Sequence, residues 1–516
     1  MAAAVSARAQ SGRTPPAAGR EVTFIVVPSL GGWLSSRVLE PSAPPQGYLH
    51  IAAPLRRLRR EFPEAIVVTL ADLFSGGPNP AYETGVMAPA ARFAPLLGLA
   101  AALPGDRDLM ALASASAARP FPTLAADVVL PGPGRAAPYA IVERGGLRLG
   151  LLGLAMPSVS SAARLRAEGG EVLDALQEAK RIAGKLRREE RVDGVVALVN
   201  AARGGQEDQA SALVLDVTPR RGVAAFAGSN LGLDLVLAGA MRAAGEEDAP
   251  SLYTVPTVAA HRYGLTVARV RIAQDAAGPR ITLLSRWVVP PDEAADPASL
   301  AHFTPESGRF TSWIEEPTRA VVTNYSRKAT FHACAGALAH GAVFAALSDG
   351  EEFSLLPALW RYDRFFKRDR GRRIVRADVY RWIPHDDAVL AARVTGRQIA
   401  LLLEPYVRNG QGWRVPPSLV LFPGGMEASL QRRTSEVKLL RSQDGAELRP
   451  HDSYPIWLTQ WHAWGAGGLA RKALLQAQQL GPVRVPSLRE AVFRWLAAPG
   501  FTPPPACAKF LGVSPP

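Results

Sequence analysis

The clearest pattern of apolar and polar positions runs from Pro138 to Pro157, PYAIVERGGLRLGLLGLAMP. Two apolar, partly alternating runs, Tyr139 to Glu143 and Leu147 to Leu154, flank Gly145-Gly146. A glycine pair between such runs favours a two-residue hairpin turn with positive φ. The second run is too continuously apolar for a half-exposed strand and is expected inside a sheet covered on both faces. From Glu171 to Glu190 the residues Val172, Leu173, Leu176, Ala179, Ile182, Ala183 and Leu186 fall at helical spacing, and Val192 to Leu198 is again a buried-strand run. Together these predict a strand-helix-strand unit.

Upstream, Val22 to Val27 is a short β-branched and aromatic run that leaves into Pro28-Ser29-Leu30-Gly31-Gly32. Leu55 to Phe62 reads as a basic amphipathic helix, Ala65 to Leu70 as a strand, and Ala71 to Gly77 as the loop at its carboxyl end. Further strand-end loops are expected at Leu103 to Asp108, Val199 to Gly205 and Ala238 to Arg242. Strand-end loops of one sheet converge on one edge, where an α/β sheet places its ligands. These five loops are therefore expected at one edge of one sheet, facing a single site.

Composition narrows the class. At 516 residues and 48% hydrophobic content the chain can bury two or three cores. The net charge of +13 does not mark nucleic acid as a partner, because the basic residues are scattered among acids. Two cysteines, Cys334 and Cys507, can form neither a disulfide framework nor a four-thiolate zinc site; one bridge is possible but spacing does not argue it. His332, Cys334 and His340 on a helix expected from Thr330 to Ala346 read as satisfied helix residues rather than ligands. No apolar run reaches the roughly 18 residues of a membrane span. Ala7-Arg8-Ala9 before Gln10 has the form of a small-x-small cleavage site, which suggests a longer export signal and a periplasmic or extracellular location.

The segment PYAIVERGGLRLGLLGLAMPS resembles the 5'-nucleotidase and 2',3'-cyclic-nucleotide phosphodiesterase family, two-domain exported metallophosphatases. Two further stretches are similar to the family's C-terminal domain: Arg373 to Glu404, in which Thr395-Gly396 opens a helix, and Tyr454 to Lys472, which retains Gly467-Gly468. The resemblance implies an α/β (α+β) chain with a metallophosphatase-like sandwiched β-sheet domain at 22–290, a connector at 291–312 and a 5'-nucleotidase-type α/β domain at 313–500. It leaves a disordered tail or signal remnant at 1–21 and a tail at 501–516.

The resemblance also aligns the strand-end loops with the family's metal-binding blocks. Ser29 and Gly31 stand where the first block has its aspartate and histidine, and Asp72 preserves the acid of the second. In the third block Asp106 replaces an asparagine and Arg107 a histidine; Asn200 stands for a single histidine, and Ala240 and Arg242 for the two of the last block. A two-metal phosphatase needs closely spaced divalent charge held by carboxylates and neutral imidazoles. Of that set Asp72 survives, with Asp106 a residual oxygen ligand, so the family's two divalent metals are not expected here.

Three readings remain open at this point: a decayed site, with Arg107 and Arg242 closed by Asp72, Asp106 and Asp108; a metal-free anion site in which Arg107 and Arg242 hold nucleotide or phosphate; and one-metal hydrolysis on Asp72 and Asp106. In the C-terminal domain the family's phosphate-binding arginine is missing, and Trp461 and Trp464 are the candidates to stack a base. The expected function is that of a 5'-nucleotidase-family protein that has lost its dinuclear site. An exported binding or scaffolding protein is the alternative.

Overall fold

The computed structural model describes residues 19–30, 32, 34–35, 45–70, 73, 88–105, 108–109, 112, 121–131, 136–157, 162, 165–166, 168–200, 230–239, 255–261, 264–275, 278–303, 312–323, 334, 338, 341–342, 345–346, 353–355, 371–383, 389–398, 418–420, 426–431, 436–442, 447, 449–459, 481–482, 488–504, 507–508 and 511–513. In chain order the N-terminal part contains β1 (Arg20–Val27), α1 (Tyr48–Glu61), β2 (Ile66–Thr69), α2 (Ala88–Leu97), β3 (Ala101–Ala102), β4 (Val128–Val129), β5 (Tyr139–Arg144), β6 (Leu147–Leu154) and β7 (Glu171–Val172). It continues with α3 (Ala175–Arg188), β8 (Gly194–Val199), β9 (Leu235–Ala238), β10 (Thr257–Ala259), β11 (Leu265–Asp275), β12 (Gly278–Val289) and α4 (Pro297–His302).

Two five-stranded sheets carry this part, ordered β12-β11-β1-β2-β3 and β10-β9-β8-β6-β5. The expectation of a single sheet is corrected. Buried strand runs look alike in sequence whichever sheet they join, because the run records burial and not the pairing partner. In the first sheet β1, β2 and β3 are parallel; in the second β6, β8, β9 and β10 are parallel. The sheets face each other across one buried cluster, to which Phe24, Val26 and Val68 contribute from the first and Leu149, Val196 and Leu237 from the second. The alternate residues Ile25, Val27 and Val67 pack under α1 and α2, and those of the second sheet under α3. Both sheets are thus covered on both faces, which accounts for the unbroken apolar runs.

The hairpin forms as expected, with Gly145 at φ 57 and Gly146 at φ 72 between β5 and β6. Other bounds differ. The helix expected from Leu55 begins at Tyr48, and the segment expected as one helix from Glu171 opens as β7 before Asp174 caps α3 through Gln177 N. The connector is not featureless: it contains α4, and Arg56 and Arg57 of α1 pair with Asp296 at 2.6 Å and Asp292 at 3.0 Å.

The C-terminal part holds β13 (Pro317–Val322), β14 (Phe353–Leu355), β15 (Arg373–Val375), α5 (Arg376–Trp382), β16 (Val389–Thr395), β17 (Ser418–Val420), β18 (Met426–Gln431), β19 (Glu436–Ser442), β20 (Ser453–Thr459), β21 (Gly481–Pro482), α6 (Leu488–Ala497) and β22 (Leu511–Val513). Its sheets run β15-β13-β22, β14-β20-β16-β21 and β17-β18-β19. Thr395 and Gln398 bond each other reciprocally, side chain to backbone, in the manner of a capping box at the expected helix start. Residues 501–516 are not simply a tail: β22 pairs with β13, and Cys507 forms a disulfide with Cys334. Both cysteines are fully buried. The bridge lay outside sequence logic because 173 residues separate its partners.

Candidate functional site

The carboxyl ends of both sheets lie at one edge of the sandwich, joined by a short strap. At β3, Ala102 donates to Pro122 O at 2.9 Å and accepts from Leu124 N at 2.8 Å; two residues later Ala126 N donates to Gly153 O of β6 at 2.7 Å. The strap crosses so closely that a Cβ on Gly153 would overlap the side chain and carbonyl of Leu124. Asp127 ends the crossing. Its carboxylate accepts from the backbone N–H groups of Ala155 at 2.8 Å and Met156 at 2.7 Å, just beyond β6, and it holds Met156 in the left-handed region at φ 44. Burial raises the Asp127 pKa to about 6, against the opposing effect of those two donors.

The loops of the first sheet are laced together at Leu73. Its N–H donates to the Asp108 carboxylate at 2.7 Å, and its carbonyl accepts from Gly32 N at 3.1 Å. The loops after β1, β2 and β3 therefore meet through one residue, and the convergence expected of these three is met. Asp108 is completely buried. On the second sheet Asn200 N bonds Leu154 O at 3.0 Å and Gly239 N bonds Val199 O at 2.8 Å, which carries the ends of β8 and β9 to the same side as β6.

Of the positions singled out in sequence, Ser29 and Asn200 are placed at this edge, after β1 and β8. Asp72, Asp106, Arg107, Arg242, Trp461 and Trp464, like Gly31 and Ala240, lie outside the described residues. The chain neighbours of Asp72 and Arg107, namely Leu73 and Asp108, are the pair bonded at 2.7 Å.

Among the described residues one histidine stands near the edge, His261, two residues past β10. Its Nδ1 accepts from Gly264 N at 2.9 Å, so in the neutral ring the proton sits on Nε2 and neither nitrogen is open to a cation in that tautomer. Asp127 was missed by sequence reading, since a lone acid in LAADVV carries no spacing signal; its role arises from contacts 28 and 29 residues away.

No family model and no curated protein matches this chain by sequence. In fold it is similar to a Staphylococcus aureus structure described as a 5'-nucleotidase in complex with alpha-ketoglutarate. The TM-score is 0.66 at 12% identity, over 94% of this chain and 98% of that one. It is likewise similar to a 5'-nucleotidase precursor from Thermus thermophilus, with TM-score 0.58 and 16% identity over 92% of this chain and 96% of that one. The chain has the two-domain 5'-nucleotidase fold, with the mixed α/β architecture that the three resembling stretches imply. Among the described residues no helix is long and apolar enough to cross a membrane.

Proposed function

We propose that this chain is an exported member of the 5'-nucleotidase family, a family of nucleotide and phosphoester hydrolysis, that has lost the dinuclear metal chemistry and persists as a pseudoenzyme. The observation that carries this reading is the residue set at Ser29, Gly31, Asn200, Ala240 and Arg242, none of which is a strong ligand for a divalent cation. The donor chemistry of the described edge supports it. Asn200 and Ser29 offer neutral oxygens, one Asp108 oxygen is engaged by the Leu73 N–H, and the His261 Nδ1 lone pair is engaged by Gly264. These residues do not fit a two-metal centre. Export is supported by the buried Cys334–Cys507 bridge, since such bridges persist in oxidising compartments.

Purification with manganese or zinc, followed by metal analysis and assay with AMP and with a cyclic nucleotide, tests the reading. The expected result is neither stoichiometric metal nor turnover. Turnover abolished both by a chelator and by Asp72→Ala would overturn it. The second reading, an anion site on Arg107 and Arg242, rests on the match of guanidinium forks to phosphate oxygens. Calorimetric titration with AMP and inorganic phosphate distinguishes it: binding lost in Arg107→Ala and kept in Asp72→Ala would favour it.

A further inference from the structure

The helical cover on the outer face of the first sheet stops short of the end where β1 begins. Ile25 and Val27 of β1 and Val267 of β11 pack under α1 and α2. Phe62, just past α1, closes that cover against Trp287 of β12, with ring centres 5.9 Å apart. Beyond it the same face turns polar and basic. The register sets Thr23 opposite Arg269, Glu21 opposite Arg271, Thr282 opposite Arg271 and Arg280 opposite Ala273. Residues directly opposite in antiparallel strands share a face. Arg269 and Arg271 are therefore neighbours about 7 Å apart along β11, and Arg280 stands one same-face step further on, in β12.

We propose that this open face of β1, β11 and β12 docks on an anionic lipid bilayer. The row is accessible: the Arg269 and Arg271 side chains are 44% and 50% exposed, and Arg280 and Thr282 are exposed as well. Its charge is answered only in part. Glu21 accepts from Arg269 at 2.8 Å with one carboxylate oxygen and from Arg271 at 2.7 Å with the other, so two guanidinium groups share one acid and each spends one nitrogen on it. Among the described residues Arg280 has no ionic partner. Guanidinium forks match phosphate oxygens, which lipid headgroups present in a plane. The shape of the face favours a plane over a single polymer strand. It is a sheet surface three strands wide, with Leu284 exposed at the bulge in β12 and Trp287 half-buried at the rim. A tryptophan beside a basic surface is the combination that settles at a membrane–water interface.

The test is sedimentation of the whole chain with vesicles of phosphatidylglycerol mixed with phosphatidylcholine, against vesicles of phosphatidylcholine alone. Binding to the anionic vesicles at low salt, weakened as salt screens the charges, is expected. Each arginine at the surface contributes about a fivefold change in partition, so the triple variant Arg269→Gln, Arg271→Gln, Arg280→Gln should bind about a hundredfold more weakly. Glu21→Gln removes the acid from among the arginines and should bind several-fold more tightly. A chain of net charge +13 could cling to any anionic surface, so a second triple variant removes the same charge elsewhere. Lys180→Gln, Arg188→Gln, Arg191→Gln changes exposed residues on and just after α3 and should bind as the wild type does. All the substituted side chains are solvent-facing, and circular dichroism confirms that each variant is folded. Absence of binding at low salt, equal weakening by the two triple variants, or weaker binding by Glu21→Gln overturns the proposal. Binding to soluble polyphosphate without binding to vesicles overturns it too, and assigns the face to a polymer strand.

Discussion

His50 and Asp292 bond each other twice: the Asp292 backbone N–H donates to the His50 carbonyl at 2.8 Å, and the His50 ring reaches the Asp292 carbonyl at 3.0 Å. The first bond exists because of a proline. Pro54 lies inside α1 four residues beyond His50 and has no N–H, so the His50 carbonyl has no helical partner and the connector supplies one.

The connector should therefore loosen when the ring is removed. His50→Ala is expected to destabilise the N-terminal domain by about 1 to 3 kcal/mol, the cost of leaving buried partners unsatisfied. Amide exchange over 290–302 should rise more than over β6 and β8. Uniform exchange across both regions would show that the contact does not anchor the connector.

Asp127 predicts a pH dependence whose sign is set by burial. Its pKa rises from 3.8 to about 6 on folding, so between those values the native state binds more protons than the unfolded state. Stability from this group is present below about pH 4 and lost as pH rises through about 6. At about 1.4 kcal/mol per pKa unit the full swing is on the order of 3 kcal/mol. Urea unfolding of wild type and Asp127→Asn from pH 4 to 7 checks it. The stability of wild type relative to the variant should fall with rising pH, and a pH-independent difference would contradict the assignment.

The legible parts of the fold are those with local causes. Gly145-Gly146 fixes a turn whatever surrounds it, and the strands around it have nearly the expected bounds. The start of α1 was hidden because YLHIAAP lacks the charged residues that mark a solvent face and contains Pro54. Two sheets read as one because a strand covered on both faces gives no hint of its neighbours. At the candidate site Ser29 and Asn200 were readable as strand-end positions, because each follows an unbroken apolar run. The contacts of Asp108, Asp127 and His50 were not, since each joins segments tens to hundreds of residues apart.

Reducing the Cys334–Cys507 bridge should destabilise the C-terminal domain by about 2 to 5 kcal/mol, the range for removing a native disulfide. Both sulfurs are buried, so the bridge is expected to resist mild reductant in the folded protein and to yield once denaturant opens the domain. Free thiols titrating at equal rates with and without denaturant would contradict this.

The last prediction concerns Arg376, which is 5% exposed in the core of the C-terminal domain. Its guanidinium lies 3.6 Å from the centre of the Phe493 ring and 4.6 Å from that of Trp313, and it pairs with Glu490 and, at 2.6 Å, with Glu316. Arg376→Met removes the charge but fills a similar volume, so the apolar contacts largely survive while Glu490 loses a buried partner. Breaking a buried pair in this way costs about 3 to 5 kcal/mol. Arg494 also reaches Glu490 at 2.8 Å, but its side chain is 67% exposed, so it compensates only in part. Adding Glu490→Gln to Arg376→Met should therefore recover much of the loss, because the second substitution removes the stranded charge. Denaturant unfolding of the two single variants and the double variant measures the coupling. A double variant no more stable than Arg376→Met alone would mean that the arginine acts through ring stacking rather than through its carboxylates.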